Sequence, residues 1–306
     1  MTHDHEHGHS HGSHARPSAG RAFAIGIALN MAFVVVEATF GVLSHSMALV
    51  ADAGHNLSDV LGLALSWAAM LLARTKPTAR RTYGMRATTI LASLGNALVL
   101  LFVTGGVAWE SVRRFASPEP LPGKTIIVVA LLGVVVNASS ALLLMRNKDG
   151  DLNVRSAFLH LAADAAVSFG VAISGAVMLV TSWWWLDPVV SVVLSVVILV
   201  GTWSVLKSSF HLALQGVPAH VDVEAVRSYL AALPRVCEVH DLHIWAMSTT
   251  EVALTAHLVV PYEHCEPTFM RDVAKHLHDV FAIEHATIQL EPPEQAPCAL
   301  ASDATL

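Results

Sequence analysis

The sequence predicts an all-α six-helix transmembrane bundle followed by a small cytosolic α+β domain. Two observations on composition support this fold class. The 306 residues are 54% hydrophobic and only 14% charged, which is too apolar for an ordinary soluble domain. The apolar residues concentrate between positions 21 and 210, whereas the last third mixes short amphipathic and alternating segments. The chain therefore reads as a membrane domain followed by a soluble one.

Residues 1–20 carry alternating histidines among acidic, glycine and serine residues. This stretch cannot bury a core, so we expect it to be a disordered tail. Alternating imidazoles bind divalent metals weakly, which suits the collection of ions near a pore mouth. A solvated tail with no role is the alternative.

Six apolar segments follow, and each is near the ~20 residues that an α-helix needs to cross a bilayer. Lysine and arginine concentrate before the first segment, after the second, after the fourth and at the end of the sixth. Because cytoplasmic loops carry the excess of positive charge, we expect both termini in the cytosol and a multi-pass protein of the inner (plasma) membrane. The segments, which make up a predicted transmembrane domain over 21–210, are 21–43, 48–73, 87–110, 125–145, 157–181 and 185–207.

Two histidine–aspartate pairs lie inside the second and fifth segments. His55 precedes Asp59 by four residues, and His160 precedes Asp164 by the same spacing. Residues four apart share one face of a helix, and these two segments are antiparallel, so the two faces can meet. Two imidazoles and two carboxylates suit a tetrahedral divalent ion, with zinc as the default. The alternative is that each pair only satisfies polar neighbours inside the bundle.

Other carboxylates also fall within the apolar segments, where charged residues are costly and usually mark an ion or proton path. Glu37 and Asp52 could line an outer vestibule. Asp52 and Asp187 begin their segments, so we expect them near the outer interface, where water relieves their charge. Asn137 is better interpreted as a hydrogen-bonding contact between helices.

The chain changes character near residue 216. From there to residue 292 the pattern predicts a helix, two alternating strands, an amphipathic helix and a third strand. This αββαβ order indicates an open ferredoxin-like domain whose length is marginal for an independent core, so dimerisation is expected. Residues 293–306 are expected to form a second disordered tail. The predicted elements are 222–232, 236–245, 251–260, 266–280 and 286–290.

This domain is rich in potential metal ligands. His240 and His257 fall on adjacent predicted strands, and His285 enters the third. Together they could bind metal on the sheet surface or across a dimer. The alternative is that these are ordinary surface histidines.

Several stretches of the chain form a recognisable set of motifs. They are SMALVADAGHNLSD at 46–59, YGMR at 83–86, His160 with Asp164, Asp187 with Pro188, and HDLHIW at 240–245. These motifs resemble those of the cation diffusion facilitator family, and the likeness covers about residues 20–292. The resemblance implies six spans, a cytosolic αββαβ domain, a homodimer, and export of Zn²⁺ or a related ion such as Co²⁺, Cd²⁺ or Fe²⁺ against protons.

The resemblance also implies roles for particular residues. By position, His55, Asp59, His160 and Asp164 match the family's transport site. The histidines at positions 240, 257 and 285 match residues that bind metal in the cytosolic domains of some members. In the loop after the second span, some members have a further metal site, but residues 74–86 hold only arginine, lysine and neutral side chains. We expect no site there.

The coupling between metal binding and protonation of the ligands suggests how such a site would work. Zinc binds neutral imidazole and ionised carboxylate, so loading would expel protons, and protonation would expel zinc. We expect the protein to be a proton-coupled antiporter, which is a secondary transporter and not an enzyme. It would work by alternating access around the site. Zinc would be the transported substrate and a possible cytosolic regulator, and protons would be the counter-ion.

Other functions have less support. A membrane-bound metal sensor without transport remains an alternative, although it would not need histidine–aspartate pairs at bilayer depth. An intramembrane metallohydrolase would need an open coordination position and a general base, and the sequence contains no HExxH motif. The net charge of −6 and the lack of a basic, aromatic stripe predict no nucleic-acid partner. The expected partners are the metal ion, membrane lipid and a second copy of the chain.

Overall fold

The structure is a computed structural model that describes residues 17–145, 152–261 and 268–293. Most of the histidine-rich tail and of the C-terminal tail predicted above lies outside these residues. The first helix begins four residues before its predicted start, at a proline, which suits a first helical position because no N–H is needed there. The elements are α1 Pro17–Leu43, α2 Met47–Ala73, α3 Thr88–Phe115, α4 Gly123–Met145, α5 Leu152–Thr181, α6 Leu186–Ala213, α7 Val223–Ala231, β1 Glu238–Ala246, β2 Val252–Val259, α8 Phe269–Phe281 and β3 His285–Glu291.

Helices α1 to α6 correspond to the six predicted apolar segments. By length and composition, α2 to α6 each contain a stretch able to cross a membrane, and α1 contributes a shorter apolar stretch over Ala28–Leu43. The prediction of a helical membrane domain is therefore confirmed. It succeeded because a helix is the one single-segment structure that satisfies all of its own backbone hydrogen bonds in lipid.

The described residues fall into two compact units. One unit comprises the described parts of residues 1–60 and 103–198, and the other those of 61–102 and 199–306. Helices α2, α3 and α6 contribute a segment to each unit.

In the first unit, α4 packs along α5, and α1 packs on α4. Glycines allow this close approach, since Gly123 and Gly175 place their Cα atoms against the facing backbone. The buried apolar core of this unit comprises Ala48, Leu49, Ile126, Val129, Ala130, Val171, Ala172 and Met178. The core thus joins the start of α2 to the N-terminal turns of α4 and the C-terminal third of α5.

Gly133 lies where α1, α4 and α5 meet. An added Cβ would lie 2.6 Å from Phe33 Cζ and 2.9 Å from Ser168 Oγ, so these neighbours would have to move. We expect Gly133→Ala to destabilise the protein by about 1–3 kcal/mol, the usual cost of overpacking. Thermal melting in detergent would measure this loss. Gly105→Ala is the matched control because no atom of the described residues lies within 4 Å of its added Cβ, and equal melting of the two variants would contradict the prediction.

The second unit contains the sheet, in the order β1-β2-β3. Strands β1 and β2 are antiparallel, whereas β2 and β3 are parallel and are joined through α8. The Asp222 carboxylate begins α7 by accepting hydrogen bonds from the backbone N–H groups of Glu224 and Ala225, at 3.0 and 3.1 Å. The predicted αββαβ order and the small three-stranded sheet are confirmed.

Candidate metal sites

The first candidate site lies between α2 and α5 in the first unit. His55 Nε2 is 3.6 Å from Asp59 Oδ2 and 3.5 Å from Asp164 Oδ1. His160 Nε2 is 3.1 Å from Asp59 Oδ2 and 3.6 Å from Asp164 Oδ2. Each imidazole therefore lies between the two carboxylates, one from each helix. The structure brings together all four side chains that the spacing singled out.

These distances fit the requirements of a tetrahedral metal ion. Ligands about 2.0–2.1 Å from a zinc ion at tetrahedral angles are roughly 3.3–3.4 Å from one another. The four nitrogen–oxygen distances of 3.1 to 3.6 Å bracket that separation. The ligating atoms of His55, Asp59 and His160 also lie within 4.8 Å of one another. His55, Asp59 and His160 can therefore hold a divalent ion, and Asp164, which meets the two imidazoles through different oxygens, lies beside them as the fourth candidate ligand.

The site is more exposed on one side than on the other. Only 7% of the Asp164 side chain is exposed, whereas 48% of the His160 side chain is. Asp59 follows His55 along α2, and His160 precedes Asp164 along α5, so in an antiparallel pair Asp59 and His160 belong to the same end of the site. The more exposed end of the site is thus the one formed by Asp59 and His160.

Two carboxylates assigned above to an outer vestibule are buried instead. Glu37 and Asp52 are 0% and 2% exposed, because α1, α2 and α5 enclose them. Asn56 Nδ2 donates to Glu37 Oε2 at 3.2 Å, and Ser168 Oγ donates to Asp52 Oδ2 at 3.0 Å. Neither donor was expected from the sequence. The one available signal was that Asn56 follows Asp52, and Ser168 follows Asp164, by four residues.

Asp187 is also buried, contrary to the expectation that it lies in water at the interface. Its carboxylate accepts hydrogen bonds from the Ser46 hydroxyl and from the backbone N–H of Met47, the latter at 2.8 Å. A side chain of α6 therefore caps the N-terminus of α2, where unpaired N–H groups favour a negative charge. This contact helps to hold the helix that carries His55 and Asp59.

The second candidate site lies on the sheet of the second unit. His240 and His257 are direct cross-strand partners, and their ring centroids are 5.3 Å apart. The third member is Glu291, at the end of β3. Its Oε2 is 3.2 Å from His240 Nε2, and its Oε1 is 3.1 Å from His257 Nδ1. Two imidazoles and a carboxylate, all largely buried, can hold a divalent ion.

His285 is not part of this cluster within one chain, and its expected role as a metal ligand with His240 and His257 stays a prediction. The parallel register places Gln289 opposite His257, and His285 opposite Ala253. Four residues along a strand separate His285 from Gln289 by about 13 Å. The His285 ring instead packs edge-on against Tyr83, with the centroids 5.3 Å apart.

A β-bulge adds a further carboxylate to the surroundings of the sheet site. The register shifts between His240 and His243, and Asp241 has a left-handed backbone conformation with φ of 51°. Asp241 Oδ2 lies 3.6 Å from His257 Nε2, and Oδ1 lies 2.9 Å from His243 Nε2. The bulge turns a residue that would otherwise alternate away from His240 towards the histidines.

Comparison with known families and proteins gives consistent matches along the chain. Residues 23–212 match the family described as the cation efflux transmembrane domain. Residues 218–293 match the family described as the cation efflux protein, cytoplasmic domain. The two matches together span nearly all of the residues that the structure describes.

Individual relatives cover most of the chain. The zinc transporter ZitB of Pectobacterium atrosepticum is 34% identical, over 95% of this chain and 89% of that protein. The metal cation efflux system protein CzcD of Cupriavidus metallidurans is 36% identical, over 94% of this chain and 92% of that protein. A cadmium, cobalt and zinc/H⁺-K⁺ antiporter of Bacillus velezensis is 30% identical, over 95% of this chain and 92% of that protein.

One solved structure matches part of this chain. It is the metal-bound C-terminal domain of the CzcD transporter from the same Cupriavidus species, and it is 36% identical to this chain. The match covers 23% of this chain and 99% of that structure, with a TM-score of 0.22.

Proposed function

The chain belongs to the cation efflux family, also called the cation diffusion facilitators, and we propose that it exports Zn²⁺ from the cytosol in exchange for protons. Membership makes it a metal cation efflux transporter and not an enzyme. One observation carries the finer proposal, namely the convergence of two imidazoles and two carboxylates from α2 and α5 at tetrahedral separations. We propose that His55, Asp59, His160 and Asp164 are the transport site.

Zinc is the proposed substrate because the site offers two nitrogen and two oxygen ligands, a set of donors that suits tetrahedral zinc. Two relatives support this choice, since one is named a zinc transporter and another a cadmium, cobalt and zinc antiporter. Four such ligands would also accept Co²⁺, Cd²⁺ or Fe²⁺, because ligand type alone does not separate these ions.

Proton exchange follows from the chemistry of the ligands. An imidazole must be neutral to bind metal, and histidine ordinarily titrates near neutral pH, so metal loading releases protons. Protonation at the opposite side of the membrane would then favour metal release. The relative whose name includes an H⁺-K⁺ antiporter supports this direction of coupling.

We propose that this conformation opens the site to the cytosol. If both termini are cytosolic, as the arginine and lysine pattern predicts, the exposed end of the site formed by Asp59 and His160 faces inward. The opposite end is closed by buried side chains that include Asp164 and Asp52. Transport would require a second state in which the helices close the inner end and open the outer one.

The cytosolic domain is proposed to dimerise and to bind regulatory zinc in a protein of the inner membrane. Its family is a dimerisation domain, and a domain of this length has a small core. The proposed ligands within one chain are His240, His257 and Glu291. Zinc bound there would favour one arrangement of the dimer.

Replacing Glu291 with glutamine is expected to weaken zinc binding at the sheet site by ~10-fold or more, because the site loses its charged ligand. Isothermal titration of the full-length protein in detergent, with the transport site disabled by Asp59→Ala, would measure it. His285→Ala is the matched control, since that ring lies against Tyr83 and should leave the affinity unchanged. A loss with His285→Ala and none with Glu291→Gln would contradict the assignment.

Reconstituted protein tests the proposed exchange itself. In proteoliposomes with an acidic lumen and a trapped zinc indicator, we expect zinc to accumulate inside as protons leave. A protonophore should abolish this accumulation above the passive level. Zinc flux that ignores the pH gradient would contradict proton coupling, and the absence of zinc flux would contradict zinc export.

A further inference from the structure

Glu37 of α1 and Asp52 of α2 are two buried carboxyl groups that lie near each other, since Asn56, one helical turn after Asp52, donates to Glu37. Each group receives one hydrogen bond from a neighbour, Glu37 from the Asn56 amide and Asp52 from the Ser168 hydroxyl. These two bonds use one oxygen of each carboxyl group. The transport ligands are not members of this pair.

The other two oxygens, Glu37 Oε1 and Asp52 Oδ1, are buried and meet no hydrogen-bond donor among the described residues. A buried charge without a partner is strongly unfavourable. Two adjacent carboxylates in a low-dielectric interior also repel each other, so they do not both stay ionised. One proton bound between them removes a negative charge and supplies the missing donor.

We propose that Glu37 and Asp52 form a proton-binding site that holds one shared proton while the transport site is empty and releases it when zinc binds. This rests on the proposed exchange of zinc for protons, and it adds a proton site beside the imidazoles. On release, the O–H bond of the carboxylic acid breaks, both carboxylates become ionised, and the proton leaves to water that reaches the exposed His160 end of the site.

The pair is well placed to sense zinc. Asp52 precedes His55 by three residues, or about 4.5 Å along the helix axis. With one imidazole protonated, the empty site carries a net charge of −1 from Asp59 and Asp164, which favours the protonated pair. The zinc-loaded site, with both imidazoles neutral, has no net charge, so zinc binding favours the ionised pair. Binding of the metal therefore drives the proton off.

Few other charged groups act on the pair. Among the described side chains of α1, α2 and α5, the titratable ones are Glu37, Asp52 and the four transport ligands. Helix α4 contributes only Lys124, in its first turn, and Asp187 of α6 is occupied in capping α2. The charges of α3 lie in its last two turns, at Glu110, Arg113 and Arg114. The transport site is thus the main source of any change in charge near the pair.

Glu37→Gln tests the proposal in the full-length protein. The glutamine oxygen can accept from Asn56 while its NH₂ donates to Asp52, so the variant reproduces the hydrogen bonds of the protonated pair without an exchangeable proton. We expect it to release about one proton fewer per zinc than the wild type, measured in weakly buffered detergent solution with a pH indicator. Asp52→Asn should show the same deficit.

Glu110→Gln is the matched control, because this carboxylate lies at the end of α3 in ion pairs with Arg113 and Arg114. It should release as many protons per zinc as the wild type. The proposal is overturned if Glu37→Gln and Asp52→Asn bind zinc and also match the wild type. A wild type that binds zinc without releasing any proton would instead overturn the zinc–proton exchange on which the proposal rests.

Infrared difference spectroscopy of the wild type provides a test that does not depend on the variants folding. Zinc addition should remove a carbonyl-stretch band of a protonated carboxyl group. The zinc-free Glu110→Gln variant should show the same band, and zinc should remove it there too. If the zinc-free wild type shows no such band, or if the band persists after zinc has bound, the proposal is wrong.

Discussion

Zinc transport is expected to be lost when Asp164 is replaced by asparagine. The two oxygens of this carboxylate lie 3.5 Å from His55 Nε2 and 3.6 Å from His160 Nε2, so it joins both imidazoles. The amide keeps the size of the side chain but removes one of the two negative charges that would balance the metal. We expect zinc affinity to fall by ~100-fold or more, beyond the 10–100-fold loss typical of changes around metal ligands.

Titration of the purified protein with zinc and flux into proteoliposomes would both measure this loss. Asp279→Asn makes the same substitution on the exposed face of α8 and should leave transport unchanged. The Asp164 variant must also melt like the wild type for the comparison to hold. Wild-type flux in a folded Asp164→Asn protein would show that the transported ion binds elsewhere.

The grouping of the four transmembrane side chains was predictable because it depends on local geometry. A spacing of four residues places His55 with Asp59, and His160 with Asp164, on one face of whatever helix contains them. The apolar segments were long enough to be helices on composition alone. It remained to be predicted that α2 and α5 turn these faces towards each other. This followed from the free-energy cost of an unpaired charge in lipid, where isolated carboxylates are rarely tolerated.

The sheet site was less predictable because its membership depends on strand register. His240 and His257 could be paired from their positions on adjacent strands, but the level of His285 depends on where β3 begins its parallel ladder with β2. Nothing in the sequence of β3 sets this alignment, since the ladder forms only after α8 has crossed over the sheet. Glu291 consequently occupies the position assigned to His285.

The burial of Glu37, Asp52 and Asp187 also depends on tertiary contacts. Each was recognised as a carboxylate at membrane depth, and each was placed near water because an unpaired buried charge is costly. In the structure, hydrogen bonds from donors on other helices offset the cost of burying these carboxylates. Asn56, Ser168 and the N-terminus of α2 supply these donors, and only the first two had any spacing signal.

Asp187→Ala is expected to have the largest effect on stability. The carboxylate accepts from the Ser46 hydroxyl and from the backbone N–H groups of Met47 and Ala48, and the alanine would leave these buried donors without a partner. Unsatisfied buried donors cost about 1–3 kcal/mol each, with part of the loss recovered by relaxation, so we expect ~2–4 kcal/mol in total. Thermal unfolding in detergent should therefore begin at a clearly lower temperature.

Asp187→Asn separates the structural role of this side chain from any role in metal binding. Its single amide oxygen can still accept from the start of α2, so we expect an intermediate melting temperature and a zinc affinity close to that of the wild type. Asp164→Asn should show the opposite pattern, with normal melting and lost affinity. If Asp187→Asn also lost zinc binding while melting normally, this carboxylate would belong to the metal pathway itself. Unchanged melting of Asp187→Ala would show that other contacts suffice to hold the N-terminus of α2, and with it the placement of His55 and Asp59.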